Sequence, residues 1–193
     1  VTLLISPKIS LSLAIESIQI IEALRFGLKP FNQFDNYDEK SALYAIAFNG
    51  VEFPKHFGEN KIIKGDIIYV GKTESGIKNR IVKTHFKDGR TNFSTLRRSL
   101  GAILIENLNL KPIPNVRDYK FIHESERELT DWMIKNLSIS FIPFNRGKRI
   151  IREMESEIIY ILNPILNINN NVNNKSGSML KELRKMCREI ARV

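Results

Sequence analysis

The chain is poor in the residues that build covalent staples and metal clusters. It has one cysteine, Cys187, in 193 residues, which excludes a disulfide framework and a thiolate zinc site. Its three histidines, His56, His85 and His123, lie far apart and show no ligand spacing. The single tryptophan, Trp132, reads as core. No apolar run approaches the ~18 residues that a membrane-spanning helix needs. The greasiest stretch, residues 11–24, is interrupted by Glu16, Gln19 and Glu22, and it lacks the basic leader and small-residue cleavage site of a signal peptide. The expectation is an intracellular, cytoplasmic protein with no membrane partner. Negative charge is also scarce. Twenty-one Asp+Glu against 30 Lys+Arg leave a formal charge of +9, which favours polyanionic partners, nucleic acid first and an anionic membrane surface second.

What is present is concentrated. Apolar residues make up 42% of the chain, enough for a sizeable core. The cations cluster: Lys72, Lys78, Arg80, Lys83, Lys87, Arg90, Arg97 and Arg98 fall within 27 residues that contain only Glu74 and Asp88 in opposition. Upstream of this cluster the hydrophobic run 66–70 ends at Gly71. A strand feeding a glycine turn and then a basic helix is a good device for presenting cations to phosphate. Lys78, Lys83, Lys87, Arg90, Arg97 and Arg98 are the candidate DNA contacts, with Arg97 and Arg98 dividing between DNA and solvent.

Periodicity organises the rest. Residues 1–5 are β-prone, and Leu11, Ala14, Ile15, Ile18 and Ile21 form a helical stripe over 10–26. Residues 42–48 read as a buried strand stopped at Asn49-Gly50. Residues 66–70 read as its antiparallel partner after an inserted loop at 51–65. Helices are expected over 76–87, with Ile77, Ile81 and Val82 inward, and over 96–108, capped by Ser94 or Thr95. Another is expected from a capping box at Ser125–Glu128, with Leu129, Trp132, Met133 and Leu137 on one face. A strand is expected at 119–123, an edge strand at 138–144 ending on Pro143, and a helix over 148–162 stopped by Pro164. The division expected is an N-terminal addition at 1–40, a main domain at 41–168, an Asn/Ser-rich linker at 169–178, and a basic amphipathic helix at 179–193. That helix either docks on the body or meets phosphate or lipid. The fold class is α/β of the α+β kind, with a small, mostly antiparallel central sheet flanked by helices.

Several elements in order say more than the charge does. Ala42-Leu43-Tyr44 and Tyr69-Val70-Gly71 lie on adjacent strands, Ile77-Lys78-Asn79-Arg80 follows on a helix, and Glu155, Ile158, Ile159, Pro164 and Asn167 complete the set. This pattern resembles the GIY-YIG nuclease family. The two tripeptides match its paired tyrosine motifs, Arg80 its arginine, and Glu155 to Asn167 its E-x-x-[LI]-I-x(4)-P-x-x-N pattern without a gap. The similarity covers residues 41–167. The strings Lys83-Thr84-His85-Phe86 and Thr95-Leu96-Arg97-Arg98-Ser99-Leu100 look like one branch of the family. Two departures stand out. Ala42 replaces the glycine of the first motif. One extra residue precedes Arg80, and His85 follows it by five positions where four is usual, which on a regular helix turns the side chain by about 100°.

The resemblance implies an endonuclease-like fold and phosphodiester hydrolysis, leaving a 5′-phosphate and a 3′-hydroxyl. It implies Glu155 as ligand for Mg²⁺, with Mn²⁺ the alternative, and Arg80 as the phosphate-binding fork. Tyr44 would orient or deprotonate the attacking water beside a cation such as Lys72, and Tyr69 would bond phosphate or water. His85 belongs to the same candidate site, with Gly71 and Asn167 as its structural members. DNA is the expected substrate, a restriction or other defence nuclease the expected setting, and a homodimer the natural form on palindromic DNA. The rival reading is a catalytically inactive nucleic-acid-binding module of the same fold.

Overall fold

The computed structural model describes residues 11–34, 40–54, 61–116, 118–169, 171 and 177–192. The β-prone run 1–5 lies outside the described residues. The elements in order are α1 (Leu11–Phe26), β1 (Lys29–Pro30), β2 (Ala42–Phe48), β3 (Ile67–Thr73), α2 (Ile77–Arg80), α3 (Thr95–Leu104), β4 (Pro112–Pro114), β5 (Tyr119–Phe121), α4 (His123–Asn136), β6 (Leu137–Pro143), α5 (Lys148–Leu162) and α6 (Gly177–Ile190). Among the described residues the main sheet is wholly antiparallel, in the order β1-β6-β2-β3, and β4 and β5 form a separate two-stranded ladder. The α+β expectation holds.

Burial on both faces explains β2. All seven of its residues are buried, so Ala-Leu-Tyr-Ala-Ile-Ala-Phe carries no polar alternation. On one face Tyr44, Ile46 and Phe48 join a core with Ile77, Ile81, Leu100, Leu129 and Met133. On the other, Leu43 and Val70 pack with Ile21, Ile151, Met154, Ile158 and Ile159, which seats α1 and α5 together. The inward stripe of α1 is Ala14, Ser17, Ile21 and Leu24, and Ile15 is half exposed, rotated from the stripe expected. Ser17 can occupy an inward position because its hydroxyl donates to the Leu13 carbonyl at 2.8 Å.

Strand β3 extends through Thr73, so Gly71 lies inside the strand rather than in a turn. Strand β6 is paired along its whole length with β2 and is flanked on its other side by β1 at Ser138 and Ile139 only. It is therefore an edge strand along most of that side. The capping box at Ser125 does not form. Helix α4 starts three residues earlier, with no side-chain cap at Ile122, and Ser125 Oγ instead accepts the Lys111 amide at 3.0 Å.

Helix α6 docks on the body. Leu180 and Cys187 are fully buried in the first core, and Arg184 donates to the Thr95 carbonyl at 2.8 Å and to Ser99 Oγ at 2.5 Å. No helix among the described residues is long and apolar enough to cross a membrane.

Candidate active site

The site forms where β2 and β3 lie side by side beneath α2. Tyr44 pairs directly with Gly71 across the ladder, which places both on one face. A Cβ at position 71 would stand 2.5 Å from Tyr44 Cζ, so only glycine leaves room for the phenol. Ala42, the departure in the first motif, pairs with Thr73, is fully buried and does not belong to the positive-φ residues. One methyl fits there without strain.

The second departure has a geometric answer. After the α-helical turn Ile77–Arg80, the backbone widens into a π-turn over Ile81–His85, and the Phe86 amide donates to the Ile81 carbonyl, five residues back, at 2.9 Å. A π-turn absorbs one additional residue without losing the helical ladder. It thereby brings His85 onto the side of the helix that faces Tyr44. His85 Nε2 lies 2.8 Å from the Tyr44 hydroxyl, and its Nδ1 lies 2.7 Å from Ser94 Oγ. Arg80 Nε donates to the same Tyr44 hydroxyl at 3.1 Å. The Tyr69 ring stands edge-on to His85, 5.9 Å between centroids, and tilted to Tyr44, 6.2 Å between centroids.

Glu155 enters from the opposite layer. Strand β3 is the sheet's outer strand, and the segment from α5 to Asn167 runs along it. Glu155 lies beside Lys72, which opposes the rise of its pKa, Asn167 takes both the Val70 N–H (2.9 Å) and C=O (2.8 Å), and the Leu166 amide donates to the Ile68 carbonyl at 3.0 Å. The spacing from Glu155 through Pro164 to Asn167 is thus the spacing that covers a bare strand edge and carries a carboxylate to the site.

The electrostatics follow from this enclosure. Burial and the nearby Tyr69 phenol push Tyr44 well above the ordinary phenol value, against the pull of Arg80. Burial raises Tyr69 too. Burial raises the Glu155 carboxyl, opposed by Lys72, Arg80 and Arg152. His85 is held well below the ordinary imidazole value by burial and then by the Arg80 and Arg97 cations. Burial works against the charge on Arg80, but the two phenols beside it outweigh that and raise its pKa. Near neutral pH the site therefore holds protonated phenols, a neutral imidazole and a firmly charged guanidinium.

The structure ranks the two phenols by depth and corrects two expectations, for Lys72 and for the Arg97–Arg98 pair. Tyr44 is fully buried, with its hydroxyl between Arg80 and His85, whereas Tyr69 retains 7% exposure, so Tyr69 is the phenol nearer the surface. The Lys72 ammonium is not the partner of Tyr44: it pairs with Glu74 at 2.5 Å. Arg97 is not a surface cation at all. It is 0% exposed, bonded to Glu126 Oε2 at 2.7 Å, to the Thr130 hydroxyl at 2.8 Å, and to the carbonyls of Glu126 and His85 at 3.0 and 3.1 Å. Arg98 is four-fifths buried and pairs with Asp118 at 3.4 Å. Lys78, Lys83, Lys87 and Arg90 are exposed as expected. His56 lies outside the described residues, and His123 is exposed, away from the site, beside Arg127.

Two members escaped the sequence reading. Ser94 was legible only as a cap. Arg152 is exposed and acts on Glu155 from three residues earlier on α5; only that helical spacing could have flagged it. Among the described residues no group of three or more His, Cys, Asp or Glu side chains could hold a metal. A lone carboxylate suits an ion that keeps most of its waters and takes substrate phosphate as a further ligand.

The fold and site define an α+β domain that gathers a guanidinium, two phenols, an imidazole and one carboxylate at one end of its sheet. The chain belongs to the family described as the GIY-YIG catalytic domain, which matches it over residues 42–190 and so includes α6. This family carries nuclease-type chemistry and generally uses divalent metal ions. Neither the curated proteins nor the solved structures searched gave a match.

Proposed function

We propose that the protein is a Mg²⁺-dependent endonuclease that hydrolyses phosphodiester bonds in DNA. The observation that carries this reading is the convergence of Tyr44, Tyr69, Arg80, His85 and Glu155, drawn from β2, β3, the α2 turn and α5, on one end of the sheet. Two observations favour cutting over an inactive binding module. Ala42 is unstrained, and the π-turn restores His85 to the site.

Each residue has a physical task. Glu155 would hold the ion, which when bound polarises the phosphoryl group and offsets its developing charge. Arg80 spends Nε on Tyr44, so its terminal nitrogens are the ones available for a bidentate contact with nonbridging oxygens. Tyr69, nearer the surface, orients the attacking water. Tyr44 acts from behind, holding Arg80 and Tyr69 in place. Exposed Lys78, Lys83, Lys87 and Arg90 attract the strand and position its backbone.

The test is supercoiled plasmid with Mg²⁺, run for the unaltered chain, Glu155→Gln and Arg80→Ala, with Mn²⁺ in parallel. The unaltered chain nicks or linearises the plasmid. Both variants bind DNA and leave it intact. Cutting by Glu155→Gln at the unaltered rate refutes the assignment.

A further inference from the structure

Building on the nuclease reading above, we propose that Ser94 is a positioning residue for the reaction. Its hydroxyl donates to His85 Nδ1 and fixes the neutral Nε2–H imidazole, so that His85 and Arg80 both donate to the Tyr44 oxygen and turn the Tyr44 proton toward Tyr69.

The argument is a proton count. Ser94 is the N-cap of α3, fully buried, and its Oγ accepts the Arg97 amide at 3.1 Å. A hydroxyl has one proton to give and two lone pairs. Among the described residues the one acceptor within reach of that proton is His85 Nδ1, at 2.7 Å. If the serine donates there, the neutral ring carries its proton on Nε2, 2.8 Å from the Tyr44 oxygen. Arg80 Nε donates to that oxygen too, at 3.1 Å. With both acceptor positions filled, the Tyr44 proton must go to a third group, and the Tyr69 ring packs beside Tyr44, 6.2 Å between centroids. The donors Ser94, His85 and Tyr44 are then directed along one line, and Tyr69 at its end is the member with residual exposure.

The opposite polarity fails at its inner end. If Nδ1–H donated to Ser94, the serine proton would have no acceptor in a fully buried position, the most costly way to leave a hydroxyl. Nor does the ring serve as a terminal proton acceptor, because burial and the flanking Arg80 and Arg97 cations keep it neutral. Arg97 adds a second hold, donating to the His85 carbonyl at 3.1 Å.

Capping alone does not require serine here. Asp caps a helix as well as Ser does, but a carboxylate only accepts, so it would draw the imidazole proton to Nδ1 and reverse the line. Ser94→Asp therefore separates the two roles. The measurement is ¹H–¹⁵N correlation across the imidazole ring in ¹⁵N-histidine protein, on a His56→Gln/His123→Gln background that leaves His85 as the only signal.

The expected result is a neutral Nε2–H ring with serine at 94 and Nδ1–H in Ser94→Asp. Ser94→Asp should keep its cooperative thermal transition while plasmid cleavage falls on the order of 10²-fold, with KM changed little, as wrong-tautomer penalties in catalytic histidines allow. An Nδ1–H ring with serine at 94 overturns the proposal without any variant at that position, so a folding failure of Ser94→Asp does not protect it. Unchanged cleavage by a folded, tautomer-reversed Ser94→Asp overturns it as well. A chain that shows Nε2–H but cuts no DNA under any metal condition refutes the nuclease reading and, with it, the catalytic purpose of Ser94; the spectrum is what distinguishes that failure from a wrong tautomer.

Discussion

Arg97→Met is the sharpest test of how the structure divides the basic segment. The substitution keeps the volume of the side chain and removes its charge. It leaves Glu126, 1% exposed, without the cation that sits 2.7 Å from its Oε2. Glu126 keeps its hydrogen bonds from the Thr91 hydroxyl (2.9 Å), the Gly89 amide (3.2 Å) and, through Oε1, the Phe121 amide (3.2 Å), but it becomes an uncompensated buried charge. Removing one partner of a buried pair costs about 3–5 kcal/mol. Against a typical total of about 5–15 kcal/mol that is a large fraction of the stability, and it corresponds to a fall in Tm of roughly 10 °C for a chain of this size. The assay is denaturant unfolding paired with DNA affinity across a salt series. Arg97→Met should lose stability while its remaining folded fraction keeps the unaltered slope of log affinity on log salt. Lys83→Ala, at an exposed position, should do the reverse, keeping stability and flattening that slope by about 0.9 if it neutralises one phosphate. An Arg97→Met protein of unaltered stability with a flattened slope would refute the burial argument.

Gly71→Ala forces a methyl into the Tyr44 ring, which Arg80 and His85 hold from the other side; overpacking of this kind costs about 1–3 kcal/mol, and both thermal stability and cleavage should fall, whereas unchanged values of both would show that the phenol has room to move. Asn167→Ala strips partners from both the N–H and C=O of Val70 on the covered edge of β3, at about 1–3 kcal/mol, and amide exchange at Val70 should accelerate with it. His85 has a folded-state pKa well below that of the unfolded chain, so the unfolded state takes up its proton first. Its contribution to stability is therefore nil above the unfolded value of ~6.5 and becomes unfavourable as pH falls below it, by up to about 1.4 kcal/mol per unit, until the folded pKa is reached. His85→Gln should lack that component in unfolding measured between pH 7 and 5, and an identical pH slope in the two proteins would contradict a buried neutral imidazole.

Much of this was legible in order along the chain. The unbroken apolar run 42–48 announced a buried strand, and the separation of Glu155, Pro164 and Asn167 announced a unit before its purpose was visible. That purpose, covering the outer edge of β3, depends on which strand lies outermost, and strand order is a property of the assembled sheet. Likewise Ser94 reads locally as a helix cap, and only the approach of the π-turn across the fold makes it a partner of His85.

Local pattern by itself determined the elements, the positively charged segment and the identity of the chemical groups, because periodicity and side-chain type act over a few residues. The assembled fold decided which of those groups meet. The neighbours Arg97 and Arg98 differ in fate because successive helical side chains point about 100° apart: one turns into the core against Glu126, and the other lies toward Asp118 near the surface. Burial is set by what packs overhead, and that information lies some 30 residues away in α4.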